Sequence, residues 1–177
     1  MIIDRANVLR YMGERGEVSE TLAALIDKHI AKSEKYLSPR AIIQRFEIAR
    51  KDGVLSIGGV ILEGKSIAKF LEGCDECHLM CVTVGYEVER EIERASASPL
   101  EQLVIDAIGT AAVESAAEEA QASVGGGARF SPGYGDFPLE VQPEIIRLLD
   151  TTKYIGVRVT KELLLTPRKS VTAVIKK

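Results

Sequence analysis

The sequence predicts an α+β fold: a single domain whose mostly antiparallel, twisted sheet is flanked by helices. Three observations carry that expectation. Residues 41–49 and 54–57 read as strands joined by Lys51-Asp52-Gly53, a hairpin turn signal. The run CHLMCVTV from Cys77 to Val84 is apolar and β-branched toward its end, as a buried strand should be. Helical stretches fall between these strands without the regular strand–helix repeat that builds a parallel sheet.

Asp4 is placed to cap a first helix through about Met12, which Gly13 and Gly16 end. Ser19 opens a longer helix to about Tyr36. Its Leu22, Leu25, Ile26, His29 and Ile30 recur at helical spacing, and Ser38-Pro39 stops it. His29 lies on or near the apolar stripe, where a core or boundary histidine is expected rather than a ligand. Residues 1–40 are thus an N-terminal helical segment of the same domain, and residues 41–177 its α+β core. Past the hairpin, Gly58, Gly59 and Gly64 punctuate the chain before a short helix at 66–71. Gly85 closes the buried strand, and 86–95 reads as a charged helix with solvated glutamates and arginines.

Ser98 and Pro99 supply an N-cap and a first-turn residue for the longest helix, which runs to about Val124. Small side chains at Ala107, Gly109, Ala111, Ala112, Ala116, Ala117 and Ala120 let it lie close to its neighbours, so it should be central. Pro143 begins another helix to about Asp150, and 155–159 and 171–175 read as two closing strands.

Composition excludes several classes. Hydrophobic residues make up 46% and charged residues 28% of 177 residues, the balance of one globular domain. A net charge of -3 offers no general attraction to nucleic acid or anionic lipid. No apolar stretch approaches a membrane span, and the opening residues lack the basic start and apolar run of a signal peptide. With three cysteines and no such signal, a reduced, cytoplasmic protein is expected.

The chemistry concentrates at residues 125–138, GGGARFSPGYGDFP, between the long helix and the helix begun by Pro143. Three consecutive glycines end the long helix and leave the backbone free to take positive φ. Pro132-Gly133 reads as a tight turn, and Arg129 precedes it. An arginine, bare backbone and an aromatic ring on one loop suit a small ligand bearing a carboxylate, which a guanidinium grips with two parallel hydrogen bonds. Glu114 and Glu118 share a helix face with Thr110 and Gln121. Cys74, Cys77, His78 and Cys81 form a second cluster, but the spacing CxxCxxxC leaves no fourth thiol and a strand would turn His78 away, so the cysteines read as buried hydrophobes. With two histidines and no GxSxG elbow, no nucleophile–base set is visible.

The signature Arg129-x-x-x-Gly133-Tyr134 resembles the S-adenosylmethionine-binding motif in the activation domain of cobalamin-dependent methionine synthase. The helix LVIDAIGTAAVE ending at Glu114 resembles the helix before that motif. The segment TKELLLTPRKSVTAVI from Thr160 resembles the family's closing segment, with Pro167, Ser170 and Val171 in register. The likeness covers roughly residues 54 to 175. The chain departs from the pattern in being shorter, in lacking a counterpart of an N-terminal ligand-contacting aspartate, and in carrying Ile175 where longer forms have an aromatic residue.

The resemblance implies a reactivation protein that binds S-adenosylmethionine and presents its methyl group to reduced cobalamin. Arg129 would hold the methionyl carboxylate, Glu114 would reach the bound ligand, and Ser131, Pro132, Gly133 and Tyr134 would shape the pocket. Methyl transfer from a sulfonium to cobalt(I) needs alignment rather than proton transfer, so no catalytic residue is expected. No DxHxxG cobalamin motif occurs, so the corrinoid would arrive on a methionine synthase subunit or a related corrinoid protein, with a flavodoxin-like or ferredoxin-like reductant supplying the electron. Phe130, Tyr134 and Phe137 are the expected exposed docking surface. A non-catalytic module that binds a corrinoid protein or the ligand, and a metal-binding protein built on Cys74, Cys77 and Cys81, are the alternatives.

Overall fold

In a computed structural model, which describes residues 2–177, the chain is an α+β domain built on one six-stranded sheet of order β3-β2-β1-β4-β8-β5. Its strands are β1 (Arg40–Lys51), β2 (Val54–Ile57), β3 (Val60–Ile61), β4 (Glu76–Thr83), β5 (Arg129–Phe130) and β8 (Ser170–Lys176), and every neighbouring pair is antiparallel. A separate two-stranded ribbon joins β6 (Arg158–Val159) to β7 (Leu165–Thr166). Asp52 and Gly53, at φ 51° and 79°, make the tight hairpin between β1 and β2.

Helices cover both faces of the sheet. On one lie α1 (Arg5–Met12), α2 (Glu20–Lys32), α4 (Glu87–Arg94) and the long α5 (Pro99–Ser123). On the other lie α3 (Lys65–Phe70), α6 (Gln142–Leu148) and α7 (Thr151–Tyr154). β4 feeds both cores by its alternation: Met80 and Val82 face α5, while Cys77, Leu79 and Cys81 face the opposite way. That double burial explains why its sequence is apolar nearly throughout.

Local sequence sets the helix ends. Asp4, Ser19 and Ser98 accept hydrogen bonds from the backbone N–H groups of Asn7, Leu22 and Glu101, satisfying donors that a helix start leaves free. The small residues of α5 let α1, α2 and α4 close on it, with Val8, Ile26 and Val88 fully buried. At Gly109 a Cβ would stand 2.9 Å from a Val88 methyl, so the close approach of α4 depends on that glycine. His29 is buried on α2, its Nε2 3.2 Å from Oε1 of Glu101. No helix among the described residues is long and apolar enough to cross a membrane.

Several expectations need correction. The segment expected as a strand at 155–159 forms only the two-residue β6, because Ile155 and Val157 serve the core after the short helix α7. The sequence reading also passed over β3, β5 and α7, each too short to show periodicity. Phe137, expected on an exposed docking surface, is 1% exposed and belongs to the core beneath α3. Phe130 is half-buried and stacks between Phe70 and Phe137, at centroid distances of 5.4 and 6.1 Å. Only Tyr134 of the three stands free, at 67% exposure.

All three cysteines are buried. Burial pushes the thiols of Cys77 and Cys81 up to about 12, because a thiolate there would lose its hydration. Among the described residues, no three His, Cys, Asp or Glu side chains converge to hold a metal ion. Native protein at pH 8 is therefore expected to alkylate at Cys77 and Cys81 about 10³-fold more slowly than unfolded protein, as mass spectrometry of iodoacetamide-treated samples will read. Equal rates would contradict their placement.

Candidate functional site

A cleft of about 350 Å³ opens at the β5 end of the sheet, between α5, the loop after β5 and the start of β8. How the chain delivers Arg129 into it can be followed residue by residue. α5 ends in a Schellman motif: Gly125 takes φ 62° and donates to the carbonyl of Ala122, while Gly126 donates to that of Gln121. Gly126 also lies so near β8 that a Cβ would stand 2.5 Å from a methyl of Ile175. From there Gly127 N–H donates to the carbonyl of Lys176, and Lys176 N–H to the carbonyl of Ala128, which locks the chain beside β8.

Strand alternation then sorts the next two side chains. Arg129 pairs with Ile175 and Phe130 with Val174. Ile175 faces the α5 core and Val174 the opposite one, so Arg129 turns toward α5 while Phe130 turns away. There Arg129 Nη2 donates to Oε2 of Glu114, and its Nη1 donates to Oε1 of Gln121 at 3.2 Å. The amide nitrogen of Gln121 donates to the carbonyl of Gly127. The guanidinium side chain is 21% exposed and the Glu114 side chain 33%, so the pair borders the cleft without being sealed from water.

The loop that follows is fixed by turn chemistry and by a helix cap. Ser131-Pro132-Gly133-Tyr134 forms a turn with Gly133 at φ 87° and Tyr134 N–H donating to the Ser131 carbonyl, as type II geometry requires. Gly133 N–H then donates to the carbonyl of Phe137 at 2.8 Å. Asp136 reaches α3, where its carboxylate accepts from the backbone N–H groups of Lys65 and Ser66, each at 2.8 Å. The hydrogen bonds from Ser66, and then the one from Lys65, hold the Asp136 carboxyl below its usual range.

A carboxyl whose pKa is lower folded than unfolded stabilises the fold above the unfolded value and loses that contribution as pH falls through the folded one. Asp136→Asn is therefore expected to flatten the loss of stability as pH falls below about 4, read as the urea midpoint against pH. An unchanged acid limb would show that the cap contributes nothing.

Of the sequence-derived candidates, Arg129, Glu114, Ser131, Pro132 and Tyr134 all line the cleft. Gly133 does not; it sits behind the wall, where it makes the turn. The sequence reading missed Gln142 and Thr172. Gln142 is buried, donates to the carbonyl of Leu163 at 2.8 Å and accepts from the Thr172 hydroxyl at 2.7 Å, so it ties the β6–β7 ribbon to β8 beneath the cleft. A lone glutamine before Pro143 was its only trace in the sequence. Ser170, Val171 and Thr172 line the opposite wall, where β8 pairs with β4 along one edge but has no strand along the other, because β5 reaches only Val174 and Ile175. That wall therefore offers backbone polar groups as well as side chains.

Chemically, the cleft combines an anion-binding guanidinium, a carboxylate beside it, a free strand edge and the apolar surfaces of Phe130, Pro132, Leu165 and Val171. Its volume falls within the roughly 300–1,000 Å³ of small-molecule sites. The titratable side chains on its lining are Glu114, Arg129 and Tyr134.

Neither a protein-family model nor a curated protein sequence matches the chain. Among solved structures, a crystal structure of the MetH reactivation domain bound to AdoHcy superposes with a TM-score of 0.74 and 18% sequence identity, over 99% of this chain and 70% of that one. The two share a fold.

Proposed function

We propose that the Arg129 cleft binds S-adenosylmethionine and S-adenosylhomocysteine, and that the protein supports methyl transfer from S-adenosylmethionine to cob(I)alamin carried by a separate protein. The observation that carries this reading is the ion pair of Arg129 and Glu114 at the cleft wall. The amino-acid end of the ligand is itself a zwitterion. Its carboxylate suits the guanidinium fork of Arg129, and its ammonium suits Glu114, so ligand charges take up both partners without leaving either bare. The flat base suits the apolar walls at Phe130, Pro132 and Val171, with the β8 edge available for its polar rim. The shared fold with a domain whose structure holds AdoHcy supports the same reading.

S-adenosylmethionine supplies an electrophilic methyl on a sulfonium, and reduced cobalamin on the partner supplies the nucleophile. The residues of this chain would anchor one end of the donor, orient its methyl toward the cleft mouth and exclude water, a contribution from proximity and orientation. Tyr134 and Leu164, 67% and 61% exposed near that mouth, are the surfaces a partner would cover. The partner class is a cobalamin-binding methionine synthase subunit or related corrinoid protein, with a flavodoxin-like or ferredoxin-like reductant and a cytoplasmic setting.

The test mixes the protein with a reduced corrinoid protein and S-adenosylmethionine labelled in the methyl group. Label is expected in methylcobalamin, dependent on this protein. Ligand binding without transfer would instead favour a non-catalytic module, a reading motivated by the missing N-terminal aspartate.

A further inference from the structure

At the opposite end of the strand order from β5, the terminal strand β3 borders a second groove of about 440 Å³. Val60 and Ile61 form one side of it, and Pro138, Val141 and the start of α6 the other. The backbone of β3 is half-used. Leu62 N–H donates to the carbonyl of Leu55 at 2.9 Å, so antiparallel alternation turns the N–H and C=O of Ile61 outward. Ile61 is also 54% exposed. Residues 59–63 contain no lysine and no proline, so only the shortness of β3 and the charge of Glu63 guard this edge.

The charge at this groove has one sign. Glu63, Glu140 and Glu144 line it and, among the described residues, no basic one does. Glu144 is engaged by Arg147 at 2.8 Å, whereas Glu63 and Glu140 form no ion pair among the described residues. A free strand edge, an apolar floor and unneutralised carboxylates together specify the chemistry of an occupant. We propose that β3 is a docking edge for a basic, extended protein segment of alternating apolar and lysine or arginine residues. The segment adds as a further strand beside Ile61, its backbone on the β3 edge, its apolar side chains over Val60 and Val141, and its cations on Glu63 and Glu140. This site is independent of the Arg129 cleft.

The test titrates the ¹⁵N-labelled protein with the peptide acetyl-Lys-Val-Lys-Val-Lys-amide. Expected are saturable shifts centred on the amides of Gly59, Ile61 and Glu63, slower hydrogen exchange at Ile61, and weakening as salt rises. The variant Glu63→Lys/Glu140→Lys is expected to weaken binding by at least about tenfold. The milder Glu63→Gln/Glu140→Gln serves the same purpose should charge reversal unfold the protein. Shifts scattered over other acidic patches, equal binding by the paired variant, or equal binding by the same peptide with its backbone N-methylated would overturn the proposal. The last result would mean that counter-charge alone holds the peptide.

Discussion

Replacing Arg129 by alanine is expected to weaken S-adenosylmethionine binding by about 2–3 kcal/mol, or about 30- to 150-fold, measured by isothermal titration. The magnitude follows from what is lost. A guanidinium at 21% exposure, already aimed by Gln121, holds a carboxylate with charge-assisted hydrogen bonds that bulk water only partly screens. Removing it also leaves Glu114 facing the incoming carboxylate, a like-charge contact. Arg129→Lys keeps the charge but not the fork, so its loss is expected to be intermediate. Stability should change little, by less than about 1 kcal/mol, since the Glu114 side chain is 33% exposed and an ion pair so placed is worth little to folding. Binding and folding thus separate cleanly. Wild-type affinity in Arg129→Ala would remove the guanidinium from the site.

Gly64→Ala is expected to cost about 2–4 kcal/mol of stability, read by urea unfolding, and to weaken ligand binding with it. Gly64 has φ 117°, a conformation that residues with a Cβ rarely adopt. An added Cβ would also stand 2.5 Å from the backbone oxygen of Asp136, which cannot swing aside as a side chain can. The strain would fall on the junction where Asp136 caps α3 and the loop carrying Tyr134 is held. Gly16→Ala is the control, because nothing lies within 4 Å of that position. It is expected to stay within about 0.5 kcal/mol of wild type. Equal stabilities for the two variants would mean that the α3–loop junction is loose.

These effects also show what could and could not be read from the chain. Helices α1, α2 and α5 were legible because Asp4, Ser19 and Ser98 announce their starts and glycine or proline their ends. The turn at Pro132-Gly133 was legible for the same reason: its geometry is dictated by its own residues. Strand β5 was not. Its two residues become a strand only because β8, more than 40 positions later, offers them a partner, and that register alone turns Arg129 toward Glu114. Gln142 and Thr172 were hidden likewise, since a buried polar pair is defined by contact across 30 positions rather than by any local pattern. Phe137 looked like surface because its neighbours are glycine, aspartate and proline. Its burial is fixed by the cap of Asp136 on α3, a distant partner.

The zwitterion-binding claim is tested most directly by titrating the wild-type protein with S-adenosylhomocysteine and with 5′-methylthioadenosine, which keeps the nucleoside and the neutral thioether but lacks the amino-acid head. Saturable one-site binding of the first, at least about tenfold tighter than the second, is the predicted result. Equal affinities, or no binding of S-adenosylhomocysteine at all, would contradict the assignment of Arg129 and Glu114 to the head group.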